Sequence, residues 1–251
     1  MIEESAELPG WSRGRVVTRR QWAPGLLTLQ LDARTDPFEA GQFFNLGLSI
    51  NGELARRAYS AASAPGAPLE FFVARVDTGE FSPALFALKS GDTVWVERKP
   101  QGFFTLKYVP DAAHLWLVAT GTGLGPFVSM LRSGEAWRRF QRVVLVHGVR
   151  DASQQAYQEE LAELGRRYPL SLVTCFSRAT PALGVKGRLT EALASGALEE
   201  VAGVGLAPET SHIMLCGNPA MIQDMMALLG TRGLVRHRVR KPGHISTEKY
   251  W

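Results

Sequence analysis

The sequence is poor in cysteine, with only Cys175 and Cys216 among its 251 residues. Two thiols cannot form a disulfide framework, a four-cysteine zinc site or an iron–sulfur cluster held by the protein alone. The five histidines show no metal-ligand spacing. We therefore expect no metal centre.

Long apolar runs and an export signal are also lacking. The longest apolar runs, such as His114–Ala119 and Val143–Val146, are far too short to cross a bilayer. Residues 1–10 are acidic and contain no apolar stretch of the kind found in a signal peptide. The sequence therefore predicts a cytoplasmic protein without a membrane span.

The excess of positive charge is small and unevenly placed. Residues 1–110 are balanced, so the formal net charge of +4 comes entirely from residues 111–251. This surplus indicates either a solvated basic surface or an anion site for a nucleotide or an acidic partner. The basic residues are dispersed and match no nucleic-acid module, so nucleic acid is not expected as a partner.

The pattern of apolar residues changes near Val109-Pro110-Asp111. Before this point, short β-prone segments separated by turns such as Asn51-Gly52 predict an antiparallel barrel or sandwich, with one helix near Ser82–Leu88. After it, strands alternate with helices, which is typical of a parallel sheet covered on both faces. We therefore predict two domains, a β-barrel over residues 1–110 and an α/β domain over residues 111–251.

Two helix starts are expected in the second domain. Asp151 with Gln154 resembles a capping box for a helix that reaches Tyr168, and Asn218-Pro219 forms a cap with proline at the first helical position. Ligands of such sheets bind at the carboxyl ends of the strands.

A glycine-rich turn follows the strand His114–Ala119. The turn reads Gly121-Thr122-Gly123-Leu124-Gly125-Pro126 and leads into a helix, an arrangement that favours phosphate. Its spacing differs from that of the G-x-G-x-x-G dinucleotide motif. On pattern alone, a tight structural turn stays open as an alternative.

Three arginines lie after or near predicted strand ends of the second domain: Arg150, Arg178 and Arg188. Guanidinium groups bind a phosphate monoester bidentately, and strand carboxyl ends face one cleft. A 2′-phosphate site, and therefore NADP rather than NAD, is the favoured interpretation.

The first domain contains Arg57-Ala58-Tyr59-Ser60. In a strand, Arg57 and Tyr59 share one face while Ser60 points to the other. This face could hold a phosphate and a flat ring, or it could belong to a strand with an exposed arginine.

Taken together, these motifs resemble the ferredoxin–NADP reductase family, and in particular its bacterial flavodoxin/ferredoxin–NADP reductases. The resemblance covers nearly the whole chain. The matching segments, in order, are Arg57–Ser60, Gly79-Glu80-Phe81-Ser82, Gly121–Pro126, Cys216-Gly217-Asn218-Pro219 and Tyr250-Trp251. The family implies an antiparallel Greek-key barrel that binds FAD, followed by a Rossmann-like α/β domain with a five-stranded parallel sheet that binds NADP.

The resemblance also assigns roles to residues. Arg57 would contact the FAD pyrophosphate, Tyr59 would stack on the flavin, and Ser60 would lie near its N5 atom. Tyr250 would cover the other flavin face, and Trp251, which follows the tyrosine at which plant members end, would stack on the adenine. Glu248 corresponds to a tail carboxylate near the flavin. The remaining FAD contacts implied are Ala58, Val73, Ala74, Arg75, Glu80, Phe81, Ser82, with its hydroxyl toward the pyrophosphate, and Thr120.

The implied NADP contacts lie in the second domain. Cys216 and the three residues after it would face the nicotinamide, and Ser60, Cys216 and Tyr250 form the implied catalytic set. The full NADP set is Gly121, Thr122, Gly123, Val149, Arg150, Ser177, Arg178, Arg188, Cys216, Gly217, Asn218 and Pro219.

By resemblance, hydride passes from NADPH to flavin N5 and electrons leave singly to a ferredoxin or flavodoxin. These carriers are typically acidic, which suits transient docking on a positively charged enzyme, and a monomer is the simplest expectation for the enzyme. The scarcity of cysteine agrees, since the chain lacks ligands for a cluster of its own. Alternatives within the superfamily are the reductase component of an oxygenase and an NADPH-dependent flavin or dye reductase. A nucleotide-binding regulatory subunit without turnover is the alternative from another class.

Overall fold

The computed structural model describes residues 8–180 and 184–250. These residues form two compact units. The first comprises the described residues up to Thr105 together with Gly125–Ser133, and the second comprises Leu106–Leu124 and the described residues from Gly134 onward. The roles of residues 1–110 and 111–251 as separate binding domains stay a prediction.

The first unit contains a six-stranded antiparallel sheet in the order β4-β3-β6-β1-β2-β5. A bridge between Ala61, directly after β4, and Phe71 on β5 joins the two outer strands, so the sheet closes on itself like a barrel. The elements are β1 (Trp11–Ala23), β2 (Leu26–Asp32), β3 (Phe43–Ile50), β4 (Glu53–Ser60), β5 (Leu69–Ala74), helix α1 (Phe81–Ala87) and β6 (Thr93–Glu97).

Alternating apolar side chains fill the interior of this barrel. Leu27, Leu29 and Leu31 on β2 are fully buried and pack with Phe44 and Phe71. The register is set at the turn between β3 and β4, where Ile50 pairs with Glu53 across Asn51-Gly52. Both turn residues have positive φ (54° and 85°), as a two-residue hairpin requires. The predicted turn is confirmed.

The second unit is built on a six-stranded parallel sheet in the order β10-β9-β8-β7-β11-β12. Its core strand β7 is buried from Leu115 to Ala119, as expected when both sheet faces are covered. The strands are β7 (His114–Thr120), β8 (Arg142–Val149), β9 (Leu170–Phe176), β10 (Val185–Lys186), β11 (Ser211–Gly217) and β12 (Ile245–Lys249).

Among the described residues, six helices follow strands of this sheet along the chain. Short 3₁₀ turns lie at Leu106–Tyr108, Gly121–Gly123 and Ala152–Gln154. The helices are α2 (Leu124–Arg132), α3 (Glu135–Arg139), α4 (Gln158–Arg167), α5 (Leu189–Ala194), α6 (Ala197–Ala202) and α7 (Pro219–Thr231). Within the described ranges, no helix has the length and apolar character that a membrane span needs.

The predicted fold class is confirmed, and three details of the prediction are wrong. The sheet has six strands rather than five, because β10 and β12 pair at its two edges. The sequence pattern also predicts helical stretches from Pro126 to about Arg139 and over Gly187–Val201. Each of them is divided by a glycine in the left-handed region, Gly134 (φ 77°) and Gly196 (φ 80°). Asp151 caps the 3₁₀ turn by accepting from Ser153 N–H at 2.9 Å, and α4 begins only at Gln158.

Candidate functional site

The first unit presents its candidate flavin contacts on β4. The strand runs through Ser60, which confirms the predicted alternation of side chains. Arg57 is exposed, Tyr59 is half-buried and Ser60 is buried. The Arg57 guanidinium donates to the Arg56 carbonyl at 2.8 Å. An exposed cation therefore lies beside an aromatic ring on one face of the strand.

Tyr59 is held as a neutral phenol. Its ring lies alongside Phe81, with the centroids 6.1 Å apart and the planes at 24°. Burial raises the pKa of the Tyr59 phenol to about 12, against the opposing effect of the Arg57 guanidinium. The ring is thus fixed and uncharged at ordinary pH, as a surface for stacking a flat ring should be.

Further candidate FAD contacts lie at the end of β5 and in the segment that leads to α1. Val73 is fully buried, Ala74 is partly buried, and Arg75 pairs with Asp77 at 2.7 Å. Glu80 precedes α1 and is exposed.

Ser82 uses its hydroxyl within the protein. Its Oγ accepts from Val76 N–H at 2.8 Å and donates to the Val76 carbonyl at 3.3 Å. Its expected role toward a pyrophosphate, and the roles of the preceding backbone N–H groups, stay predictions.

In the second unit, two turns lie against each other at the carboxyl ends of β7 and β11. One is the glycine turn, and the other is Cys216-Gly217-Asn218-Pro219. A Cβ atom on Gly123 would lie 2.5 Å from the Cys216 carbonyl oxygen, and one on Gly217 would lie 2.8 Å from the Thr120 carbonyl oxygen. Thr120 Oγ1 accepts from Asn218 N–H at 3.0 Å. The two segments therefore approach backbone to backbone, at the point where the strand order reverses around β7.

Capping and a buried histidine hold these turns. Asn218 Oδ1 accepts from the N–H groups of Ala220 and Met221 at 2.9 and 3.2 Å, so the predicted cap of α7 is confirmed. His147, on β8, donates from Nε2 to the Gly121 carbonyl at 3.1 Å. Burial lowers the pKa of His147 to about 4, so the ring is neutral. Sequence reasoning missed this residue, whose only signal is its place on the strand next to β7.

Cys216 lies in a closed environment at the end of β11. Its thiol is fully buried. Burial, reinforced by the Glu248 carboxylate and opposed by a hydrogen bond with Tyr250, holds the pKa of Cys216 well above its usual value. The thiol therefore stays protonated and is not a nucleophile. Cys175 is also buried and free, and burial raises its pKa to about 12.

Glu248 is placed opposite Cys216 by the register of β12 on β11. Its Oε2 atom is buried and has no hydrogen-bond partner among the described residues. Burial raises the pKa of the Glu248 carboxyl to about 7. Tyr250 follows β12 and donates its N–H to the Gly217 carbonyl at 3.0 Å. A proton-binding carboxyl is thus located at the turn expected to face the nicotinamide.

Glu248→Gln should stabilise the protein above pH 7. The folded-state pKa of about 7 exceeds the ordinary 4.5, so the carboxyl favours folding fully below pH 4.5 and loses that contribution as pH rises through 7. The difference corresponds to an upper limit of about 3 kcal/mol. Thermal unfolding measured across this pH range should show a slope in the wild type that the variant lacks. The exposed Glu200→Gln serves as control, and an unchanged slope in Glu248→Gln would contradict the assignment.

The three candidate phosphate-binding arginines lie at the ends of adjacent strands. Arg150 and Arg178 follow β8 and β9, and Arg178 N–H donates to the Arg150 carbonyl at 2.9 Å. Arg188 follows β10, whose Lys186 pairs with Phe176 on β9. All three side chains are exposed and form no ion pair within residues 8–180 and 184–250.

Val149 and Ser177 connect the same strand ends. Ser177 N–H donates to the Val149 carbonyl at 3.0 Å, and its hydroxyl lies 3.3 Å from the same oxygen. Ser177 is exposed, whereas Val149 is buried. Their predicted contacts with NADP stay predictions. The predicted contact from Trp251 lies outside the described residues.

The residues present fit dinucleotides. Gly123 and Gly217 let the two turns pack backbone to backbone at the carboxyl ends of β7 and β11. Among the described residues, the three guanidinium groups at the adjoining strand ends have no carboxylate partner, and Glu248 Oε2 has no hydrogen-bond partner. In the first unit, an exposed guanidinium and a neutral aromatic ring share one strand face. Such groups bind phosphate and stack flat rings.

Family models match both units. The model for an oxidoreductase FAD-binding domain matches residues 23–106, and the model for an oxidoreductase NAD-binding domain matches residues 117–227.

Curated relatives and a solved structure match over nearly the whole chain. The chain is 44% identical over 245 residues to the flavodoxin/ferredoxin–NADP reductases of Escherichia coli and Shigella flexneri, covering 96% of this chain and 99% of each relative. A crystal structure of a ferredoxin NADP⁺ reductase from Neisseria gonorrhoeae, with bound FAD and NADP, superposes with a TM-score of 0.90 at 31% identity. This alignment covers 96% of this chain and 99% of that chain.

Proposed function

Because the chain belongs to the flavodoxin/ferredoxin–NADP reductase family, we propose that it transfers electrons between NADPH and a ferredoxin or flavodoxin through bound FAD. The observation that carries this function is the presence, in one chain, of a flavin-type strand face and of two closely packed glycine turns near three arginines that form no ion pair among the described residues. FAD accepts a hydride from the nicotinamide and returns electrons one at a time, which is the chemistry that a one-electron carrier needs.

The first unit binds and orients the flavin in this proposal. The neutral Tyr59 ring stacks on the isoalloxazine, and the exposed Arg57 guanidinium holds the pyrophosphate. Ser60, on the opposite face of β4, is the hydroxyl assigned to the region of flavin N5. Backbone groups of Val73, Ala74 and the start of α1 provide the remaining proposed contacts with FAD.

The second unit orients NADPH. The two turns that pack together through Gly123 and Gly217 would face the nicotinamide end, while Arg150, Arg178 and Arg188 would hold the 2′-phosphate. The protonated, buried Cys216 thiol supplies an apolar neighbour rather than a base. Glu248 can bind a proton near neutrality, so it can hold one at this turn.

An acidic carrier suits the surface of the second unit. Arg236, Arg238, Arg240 and Lys241 are exposed, and none of the four pairs with a carboxylate in the part of the chain that the structure describes. Their charge would steer an acidic ferredoxin or flavodoxin into a transient encounter. The monomeric state and the cytoplasmic location stay predictions from the sequence.

We expect the purified protein to be yellow and to reduce ferricyanide with NADPH far faster than with NADH. With a ferredoxin or flavodoxin as acceptor, the rate should fall severalfold between about 50 and 500 mM salt, because salt screens the steering charges. Ferricyanide reduction is the control for damage to the NADPH reaction by salt. A protein that oxidises NADPH with the dye but reduces no carrier at any salt concentration would refute the assigned acceptor class.

A further inference from the structure

A small pocket lies in the second unit between the parallel sheet and α4. Its volume is about 130 Å³, and we refer to it as the α4 pocket. One wall comes from β8 and β9, and the opposite wall comes from α4 and the segment before it. Side chains two residues apart share a face of the sheet, so two adjacent pairs of the β8–β9 register form one continuous wall. These pairs are Leu145 with Leu172 and His147 with Thr174.

The described residues that line the α4 pocket include no cation and no carboxylate. The wall opposite the sheet consists of Gln155, Ala156, Gln158 and Leu161. Gln155 Nε2 donates to Thr174 Oγ1 at 3.4 Å, so polar groups of the two walls already meet. A lining of this kind offers no counter-charge that would offset the desolvation of an ion. A ligand of the α4 pocket should therefore be neutral.

The sheet wall contains a hydrogen-bond acceptor without a protein donor. His147 is 7% exposed, and its Nε2 lies 3.1 Å from the Gly121 carbonyl oxygen, which can only accept. Nε2 therefore carries the proton. Burial lowers the pKa of His147 to about 4, so the ring is neutral and its Nδ1 is an acceptor. Nothing in the part of the chain that the structure describes donates to Nδ1. A buried acceptor costs free energy unless water or a ligand donates to it.

The wall opposite the sheet is shaped by a strained residue. Tyr157 has a φ of 60°, a left-handed value that is rare for a residue with a side chain. Its own side chain is buried and does not line the pocket, whereas its neighbours Ala156 and Gln158 do. Such a conformation persists only where the surrounding structure enforces it, and it is concentrated at functional sites.

The size of the α4 pocket matches a single ring. A cavity of about 150 Å³ lined by apolar side chains binds benzene, and the space here is slightly smaller. Leu145 and Leu161 are buried and supply apolar contacts from the two walls, while Leu172 is 38% exposed and leaves the pocket open to solvent on its apolar side chain. A ring lying between a sheet face and a helix is best filled by a flat molecule.

We propose that the α4 pocket is a binding site, separate from the coenzyme, for a small neutral aromatic ring with one O–H or N–H donor. The donor binds His147 Nδ1, and the ring packs between Leu145 and Leu161. The occupant thereby contacts the residue whose Nε2 holds the Gly121 carbonyl of the glycine turn. The site does not depend on the proposed function.

A titration of the FAD-loaded protein with phenol, followed by ¹H–¹⁵N correlation spectra, tests the site. Phenol should shift the amides of Gln155, Ala156 and Thr174 and the Nδ1 resonance of His147 along one saturable curve in the millimolar range. Toluene has the same shape without the donor, so it should bind about three- to tenfold more weakly and leave Nδ1 unshifted. Equal affinity for the two compounds, or no saturable shift at these residues, would overturn the proposal.

Two variants that occupy the pocket locate the binding. Leu172→Trp changes an exposed position of the lining, so it should weaken phenol binding at least about tenfold without unfolding the protein. Ala156→Leu fills the pocket from the opposite wall and should have the same effect. Val201→Trp, at an exposed position of α6 outside the lining, is the matched control and should bind phenol as the wild type does. Full binding of phenol in both pocket variants shows that the ring lies elsewhere and contradicts the proposal.

Competition with NADP⁺ distinguishes this site from the proposed coenzyme site. Adenine is also a neutral flat ring with an N–H donor, so the adenosine end of NADP⁺ is the competing occupant. A concentration of NADP⁺ that fully inhibits NADPH oxidation should leave the phenol titration unchanged. Displacement of phenol by NADP⁺ would assign the pocket to the coenzyme and refute a separate site. A protein that binds phenol as expected but never oxidises NADPH would refute the proposed function and leave this site intact.

Discussion

Gly217→Ala should reduce kcat/KM for NADPH by about a hundredfold or more, while FAD stays bound. Gly217 has a φ of 131°, in the region that disfavours any residue with a side chain. Its new Cβ atom would also lie 2.8 Å from the Thr120 carbonyl oxygen and 3.1 Å from the Thr120 nitrogen. Backbone strain of this kind costs about 1–3 kcal/mol, and separation of the two turns adds to it.

The loss should be confined to the nicotinamide end of the reaction. Separation of the turns would break the bond from Asn218 N–H to Thr120 Oγ1 and would change the surface that the paired turns present to the dinucleotide. Flavin absorbance of the purified variant measures FAD retention, and NADPH:ferricyanide kinetics measure kcat/KM for NADPH. Gly230→Ala, inside α7 with open space around its Cβ position, is the matched control and should leave kinetics unchanged. Normal NADPH kinetics in Gly217→Ala would show that the close approach is not needed.

Local chemistry explains which parts of this fold could be predicted from the sequence. Asn51-Gly52 specifies a hairpin because both residues tolerate positive φ, and Asn218-Pro219 specifies a helix start through the side-chain acceptor and the missing N–H. The prediction of a helix start at Asp151 was wrong because the same side-chain acceptor can bind the first free N–H groups of a 3₁₀ turn equally well. Tyr157, in the left-handed region at φ 60°, then precedes the real helix.

The features that the sequence could not reveal depend on tertiary pairing. The residues of β12 read Ile-Ser-Thr-Glu-Lys, a polar segment with no clear apolar alternation, and it is a strand because β11 offers an unpaired edge. Burial of Glu248 follows from that register, so the elevated pKa of the carboxyl is a property of the sheet rather than of the tail. By contrast, the glycine turn and the arginines were predictable because strand carboxyl ends converge in any parallel sheet.

Arg178→Ala should raise KM for NADPH by about ten- to a hundredfold and leave KM for NADH unchanged. A hydrogen bond to a charged group contributes about 1.5–3 kcal/mol, and the 2′-phosphate is the only charged group by which the two coenzymes differ. Arg178 is exposed and free of ion pairs within the described residues, so its removal breaks no structural contact between side chains. Its backbone bond to Arg150 is retained, since the N–H does not depend on the side chain.

A matched arginine distinguishes a specific phosphate contact from general electrostatic attraction. Arg142 is exposed at the first residue of β8, at the other end of the strand that Arg150 follows. Arg142→Ala removes the same charge from the same unit, so a long-range effect would raise KM for NADPH in both variants. If the 2′-phosphate binds at the strand carboxyl ends, only Arg178→Ala should change the ratio of KM for NADPH to KM for NADH. Two outcomes would show that the surplus charge of the second unit acts only as a general electrostatic attraction. One is an equal rise in KM for NADPH in both variants, and the other is an equal rise in KM for NADPH and for NADH in Arg178→Ala. The arginines would then not form a 2′-phosphate site, and the preference for NADPH would need another source.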